Sequence, residues 1–124
     1  MEADVPVRNK QRVLVVDDEP AILEALLMAF ELEGLDVDAC RTFEDARHRL
    51  LTEDFDVLIT DVRLGAFNGI QLAVIARDKH PDMRIIVFSG FDDPVLRAEA
   101  EAVGALYLVK PLTARQLLEV MPAR

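Results

Sequence analysis

Several residue types are scarce in this chain of 124 residues. It has one cysteine, Cys40, so neither an intramolecular disulfide nor a cysteine-based metal cluster can form. The 14 Lys and Arg residues are outnumbered by 23 Asp and Glu residues, which gives a net charge of −9. No basic run is present to contact nucleic acid phosphates. We therefore expect no direct DNA or RNA binding, and we interpret Cys40 as a small buried apolar residue.

Long apolar stretches are also missing. No segment reaches the roughly 18 apolar residues of a membrane span, and residues 1–12 lack the apolar segment of a signal peptide. We therefore expect a cytoplasmic protein without membrane contact. The chain is 52% hydrophobic and 30% charged, which is typical of a globular domain. Its length predicts one domain, over residues 12–121, after a polar leader at residues 1–11.

Short runs rich in Val, Ile and Leu alternate with amphipathic stretches. This pattern is typical of repeated βα units around a parallel sheet. The second run is the least hydrophobic, so we expect it at a sheet edge. The predicted strands are Arg12–Val16, Asp36–Cys40, Asp56–Thr60, Arg84–Phe88 and Ala105–Val109.

Boundary residues predict a helix after each strand. Pro20 begins the first helix and Gly34 ends it. The other four helices are expected to begin at Thr42 with Asp45, at Asn68, at Asp93 before Pro94, and at Thr113 with Gln116, the last one extending through Met121. The predicted fold class is α/β, a flavodoxin-like, doubly wound (βα)5 sandwich with a five-stranded parallel sheet of order 2-1-3-4-5.

Acidic side chains follow two of these strands. Asp17 and Asp18 come after the first strand, and Asp61 comes after the third. A doubly wound sheet binds ligands at the carboxyl ends of its strands, and in this order the switch point lies between strands one and three. One such acid is typical of a helix cap or a turn. Three acids at one edge predict a divalent metal site, and hard oxygen ligands favour Mg²⁺.

Two further polar residues lie at the same predicted edge. The fourth strand ends in Ser89-Gly90, where a hydroxyl can bind a phosphoryl oxygen. The fifth ends in Lys110-Pro111, which supplies a cation for a carboxylate or a phosphate. Either residue alone is weak support for a site, because a lone lysine is usually a solvated surface residue.

Together these motifs resemble the receiver domain of two-component response regulators, with its chemotaxis-regulator-like fold. VLVVDDEP, LITDVRLGAFNG, IIVFSG and ALYLVKP stand in the family's order and spacing over roughly residues 12 to 121. The resemblance implies that Asp61 is the phosphoacceptor. It also implies that Asp17, Asp18, Asp61 and the backbone carbonyl of Arg63 hold Mg²⁺.

The resemblance extends to catalysis, switching and partners. Ser89 and Lys110 would assist phosphoryl transfer to Asp61, and Ser89 with Tyr107 would form the switch. A sensor histidine kinase or a histidine phosphotransfer protein would donate the phosphoryl group. Helix four, strand five and helix five would contact an output domain or a second copy. The domain would then be no turnover enzyme, but a signalling module that catalyses only its own phosphorylation and dephosphorylation.

The sequence departs from the family pattern after Asp61. Leu64-Gly65 stands where Met-Pro is usual, which predicts a more mobile loop. Arg63 and Phe91 occupy positions that, in receivers generally, control how readily water reaches the acyl phosphate. Two bulky side chains there predict a long-lived phosphoform.

Three other interpretations remain open. The chain could be a phospho-independent scaffold with the same fold, although its intact motifs argue against that. A haloacid-dehalogenase-type Mg²⁺-dependent phosphohydrolase needs Asp-x-Asp and usually a cap domain, whereas Asp61 is followed by Val62 and Arg63. A flavodoxin-like nucleotide binder is weaker still, since acids after the first strand would repel a phosphate in the absence of a metal.

Overall fold

Strands and helices alternate along the chain in the computed structural model, which describes residues 11–121. The strands are β1 (Arg12–Val16), β2 (Asp36–Cys40), β3 (Val57–Asp61), β4 (Arg63–Leu64), β5 (Phe67–Asn68), β6 (Arg84–Ser89) and β7 (Leu106–Val109). The helices are α1 (Pro20–Leu32), α2 (Phe43–Thr52), α3 (Gly69–Lys79), α4 (Pro94–Ala102) and α5 (Ala114–Glu119). Residues 1–10 of the predicted leader, which was expected at residues 1–11, lie outside the described residues.

Five of the strands form one parallel sheet of order β2-β1-β3-β6-β7. These are the five strands expected from the sequence, so the predicted order 2-1-3-4-5 is confirmed and β2 lies at an edge. The bounds shift slightly, because Asp61 is the last residue of β3 instead of the first residue after it. In the register, Val16 lies beside Thr60, and Asp61 lies beside Phe88. The carboxyl ends of β1, β3 and β6 therefore meet at one edge.

Helices cover both faces of this sheet. Successive side chains of a strand point to opposite faces, so alternate residues enter separate cores. Val13 and Val15 pack in the core that contains the buried residues of α1 and α5. Leu14 and Val16 pack in the core of α2, α3 and α4. All four side chains are fully buried, which explains why β1 is a continuous apolar run.

Most helices begin with a capping contact at the residue predicted from the sequence. Asn68 and Gln71 form a complete capping box at α3, and Thr113 and Gln116 form another at α5. At α2 only half of the box forms, since Thr42 accepts from a backbone N–H without a returning side-chain bond. Helix α5 ends at Glu119, two residues earlier than predicted. Among residues 11–121, no helix is long and apolar enough to cross a membrane.

A short hairpin follows Asp61, where the sequence predicted a more mobile loop. β4 and β5 pair antiparallel, with Arg63 opposite Asn68 and Leu64 opposite Phe67. Gly65 begins the two-residue turn with φ +61°, a left-handed conformation that glycine adopts without a steric penalty. The loop therefore has regular backbone structure, and its greater mobility stays a prediction.

Candidate phosphoacceptor site

The three predicted acids meet at the carboxyl edge of the sheet. Asp17 and Asp18 follow β1, Asp61 ends β3, and these strands are neighbours. One carboxylate oxygen of each lies within 4.8 Å of the others. Asp17 is fully buried and Asp61 is 6% exposed, while Asp18 faces solvent. The fold therefore concentrates negative charge where part of it is shielded from water.

Asp17 is the most deeply buried of the three acids. Its Oδ1 accepts a hydrogen bond from the backbone N–H of Glu19 at 2.9 Å, but its buried Oδ2 has no hydrogen-bond partner among the described residues. Burial raises the pKa of the Asp17 carboxyl, the bond from Glu19 opposes that shift, and the charge of Asp61 raises the pKa further. An enclosed oxygen without a partner, beside two other carboxylates, fits a hard divalent cation.

Lys110 brings positive charge to this cluster. Its Nζ lies 3.2 Å from Oδ2 of Asp61 and 4.0 Å from Oδ2 of Asp17. The Lys110–Pro111 peptide bond is cis, the isomer usual in the resembling family, which the sequence alone did not determine. The backbone N–H of Lys110 donates to the carbonyl of Ser89 at 2.8 Å. This contact joins the end of β6 to the segment that carries the ammonium group.

Ser89 lies at the same edge as the last residue of β6. Its side chain is buried, and its Oγ accepts from the backbone N–H of Phe91 at 3.2 Å. Because the oxygen accepts in that contact, its own proton is free to be donated to another group. The predicted bond from the Ser89 hydroxyl to a phosphoryl oxygen stays a prediction.

Arg63 and Phe91 flank the acidic cluster on its open side. The Arg63 guanidinium lies 5.4 Å from the centroid of the Phe91 ring, a cation–π distance. The backbone N–H of Arg63 also donates to Oδ1 of Asp61 at 3.3 Å. A cavity of about 310 Å³ lies between these groups and is lined by Asp18, Glu19, Asp61, Arg63, Gly90, Phe91 and Lys110.

Gly69 supports the backbone beneath Asp61. A Cβ atom at this position would overlap the backbone carbonyl oxygen of Asp61. The backbone N–H of Gly69 donates to the carbonyl of Val62 at 2.6 Å, so the start of α3 lies directly against the end of β3. Only glycine permits this approach. Gly69 therefore has a packing role beneath the site.

Tyr107, the predicted switch residue, faces the interior. Its side chain is 2% exposed, and its hydroxyl donates to the carbonyl of Phe91 at 2.7 Å. The guanidinium of Arg97 lies 4.8 Å from the centre of the Tyr107 ring, and its Nη1 donates to the Tyr107 carbonyl. The contact with Arg97 was not predicted from the sequence, because no pattern links a residue of α4 to β7.

Comparison with known families identifies the chain. The family described as the response regulator receiver domain matches residues 13–121. The chain belongs to this family. Receiver domains are signalling modules of two-component systems; they bind a divalent metal and take a phosphoryl group from histidine kinases. The acidic cluster of this receiver domain lies where such a metal would bind.

Individual relatives agree with the family. The chain is 31% identical to the response regulator protein PilR of Pseudomonas aeruginosa over 114 residues, which cover 91% of this chain and 26% of PilR. It is 34% identical to the alginate biosynthesis transcriptional regulatory protein AlgB of Pseudomonas putida, covering 88% of this chain and 25% of AlgB. The receiver domain thus spans about a quarter of the length of these curated relatives.

A solved structure resembles this receiver domain closely. A response regulator from Burkholderia pseudomallei, crystallised with a phosphorylated aspartic acid, calcium ion and citrate, has a TM-score of 0.85 at 27% identity. The match covers 92% of this chain and 68% of that one. The flavodoxin-like fold, the family and the two-component role expected from the sequence are confirmed. The roles of individual residues stay predictions.

Proposed function

We propose that this receiver domain is switched by phosphorylation of Asp61. The observation that carries the proposal is the position of Lys110, whose Nζ lies 3.2 Å from Asp61 while Asp17 and Asp18 approach the same carboxylate. A carboxylate between a cation and a metal-binding pair suits a nucleophile that receives a highly charged group. The group that is modified is a side chain of the domain itself, so we propose a signalling phosphoacceptor that catalyses only its own phosphorylation and dephosphorylation and is no turnover enzyme.

Mg²⁺ is the divalent ion that we propose for the cluster. Asp17, Asp18 and Asp61, with the backbone carbonyl of Arg63, would hold it, and the unpartnered Oδ2 of Asp17 supports this set. Oxygen-only ligands suit Mg²⁺, which retains waters and binds phosphate oxygens. When bound, it would neutralise charge on the transferred phosphoryl group.

In the transfer step, a carboxylate oxygen of Asp61 forms a bond to the phosphorus of a phosphohistidine donor. The P–N bond of the donor breaks, its electron pair stays on the imidazole, and that nitrogen takes a proton from solvent. Lys110 stabilises the negative charge that moves onto Asp61, since the two groups are already in contact. The Ser89 hydroxyl donates to a phosphoryl oxygen. In dephosphorylation, a water oxygen forms a bond to the phosphorus and gives up a proton to solvent. The bond between the phosphorus and the Asp61 oxygen breaks, which releases inorganic phosphate and restores the carboxylate.

Arg63 and Phe91 extend the lifetime of this acyl phosphate. Their cation–π pair lies on the open side of the cavity that contains Asp61, where it restricts the approach of water. We therefore propose a long-lived phosphoform. A half-life near the short extreme of the receiver family would contradict this part of the proposal.

The output would pass through Ser89 and Tyr107 to the surface of α4, β7 and α5. The hydroxyl of Tyr107 binds the carbonyl of Phe91, two residues after Ser89, so a movement of Ser89 is transmitted to the ring. An output domain is one proposed partner, because the receiver covers about a quarter of its curated relatives. A second copy is the other, since a beryllofluoride-activated NtrC4 receiver domain, 30% identical with a TM-score of 0.79, is a dimer.

Intact-mass spectrometry after incubation with acetyl phosphate tests this function. Wild type should gain one phosphoryl group only when Mg²⁺ is present, and Asp61→Asn should gain none. Asp78→Asn is the matched control, because Asp78 is an exposed acid on α3 outside the acidic cluster, and it should behave as wild type. Absence of any adduct in the wild type, together with no binding of beryllofluoride, would favour the phospho-independent scaffold.

A further inference from the structure

A pair of phenylalanines joins the β4–β5 hairpin to the start of α2. The rings of Phe43 and Phe67 are 4.6 Å apart between centroids and inclined by 10°, a stacked arrangement. Phe43 is the first residue of α2, and its ring also packs against the core. Phe67 is 42% exposed, so its ring lies over Phe43 at the protein surface. The stack thus links the hairpin to the body of the domain.

This contact orients the hairpin. Leu64 lies opposite Phe67 in the register, and directly paired residues of antiparallel strands share one face. Leu64 is buried and Phe67 contacts Phe43, so this face packs on the domain. The other pair is Arg63 with Asn68, and Arg63 extends towards Phe91 at the acidic cluster. A hairpin this short has little stability of its own, so its packed face determines where Arg63 lies.

The loop has Gly65 where a proline is usual in the family, so its rigidity depends on other contacts such as the stack. At Gly65 the φ angle is +61°, whereas a proline ring holds φ near −65°. The stiffness that a proline would supply is therefore excluded by the backbone path. The stack also borders the acidic cluster, since Phe43, Phe67 and Asp18 line one cavity of about 540 Å³.

We infer that Phe43 and Phe67 are positioning residues for the metal: their stack holds the β4–β5 hairpin so that the backbone of Arg63 stays in place beside the acidic cluster. The inference rests on the proposed function, in which the Arg63 carbonyl is a ligand of Mg²⁺. Without the stack, ordering the hairpin costs free energy on each binding event. Metal affinity should then fall, while the reaction of the metal-loaded domain should not change.

Isothermal titration calorimetry with Mg²⁺ tests this role on the full chain. Phe67→Ala and the milder Phe67→Leu both lose the ring contact. Each should raise the Mg²⁺ dissociation constant by about 2- to 10-fold. Phe67→Tyr keeps the stack and should bind as wild type. Leu51→Ala is the matched control, because Leu51 is 41% exposed and lies at the opposite end of α2. Its affinity should also be unchanged.

Two further readouts separate positioning from a general loss of stability. At saturating Mg²⁺, the rate of phosphorylation by acetyl phosphate should equal the wild-type rate in Phe67→Ala and Phe67→Leu. Combining Phe43→Ala with Phe67→Ala should weaken binding no more than either change alone. Wild-type affinity in the two Phe67 variants would overturn the inference and leave the proposed function intact. A wild type that binds no Mg²⁺ and gains no phosphoryl group would overturn both.

Discussion

The two ends of the central sheet carry the same kinds of charged residue but balance them differently. At the amino end, Arg12 bonds Asp38 at 2.8 Å and Glu53 at 3.0 Å, and Arg49 contacts the same two acids at 2.9 and 3.1 Å. Both guanidinium groups also lie over the ring of Phe55. Asp38 and Glu53 thus each have two cationic partners, and Asp36 lies 3.6 Å from Arg12, so each of these acids is paired with an arginine within the chain.

At the carboxyl end the acids remain in excess. Asp17, Asp18 and Asp61 lie together, and Lys110 is their cationic partner among residues 11–121. One end therefore behaves as a structural ion-pair network, and the other retains negative charge that an external cation can neutralise. Compensation of charge, more than the number of acids, thus distinguishes a candidate site from a structural cluster.

Lys110→Met should produce the largest effect, because it removes the cation of the less balanced end. We expect the rate of phosphorylation by acetyl phosphate to fall by about 100-fold or more, comparable to the loss of one preorganised donor in a charged transition state. Lys79→Met is the control, since Lys79 is exposed on α3 away from the cluster. Time-resolved intact-mass spectrometry measures both rates, and equal rates would show that Lys110 is not needed.

Arg12→Met should affect folding and leave phosphorylation unchanged. The Arg12 side chain is 24% exposed, so solvent screens its ion pairs, and we expect a loss of about 1 kcal/mol in the free energy of unfolding. Urea denaturation measures the change, and the difference should shrink at high salt. A variant of unchanged stability would mean that the amino-end network contributes nothing measurable to the free energy of unfolding. That result would contradict its description as a structural ion-pair network.

The pH dependence of stability should have opposite signs at the two ends of the sheet. We expect these changes to be the smallest of the three predicted effects. Burial raises the pKa of Asp17, so the folded chain binds more protons there, and stability falls as pH rises through that shifted range. Hydrogen bonds from Arg49, then Arg12, lower the pKa of Glu53, so its contribution is present above the ordinary pKa and lost as pH falls through the folded value.

Urea denaturation in chelator-treated buffer between about pH 3 and pH 7 measures this contrast. At neutral pH, Asp17→Asn should raise the free energy of unfolding relative to wild type, and Glu53→Gln should lower it. Both differences should diminish as the buffer becomes acidic. Differences of the same sign would contradict the distinction between a compensated and an uncompensated end.

Much of the fold followed from local patterns. The apolar run Arg12–Val16 and its counterparts predicted all five strands of the main sheet, with bounds that shift by one residue where they differ. Asp17, Asp61 and Lys110 were expected at one edge because each follows or ends a parallel strand, and the structure brings them together. In contrast, the two-residue strands of the hairpin carry too few residues for a periodic signal.

The sequence by itself determined which segments form the strands of the main sheet and which strand ends carry the polar residues. These features depend on periodicity and on boundary residues, which are properties of short segments, whereas the strand order was expected from the flavodoxin-like fold. The tertiary structure decided the stack of Phe43 on Phe67, the approach of Gly69 to Asp61 and the contacts around Tyr107. Such contacts join segments distant along the chain, so they exist only once the backbone path has placed those segments side by side.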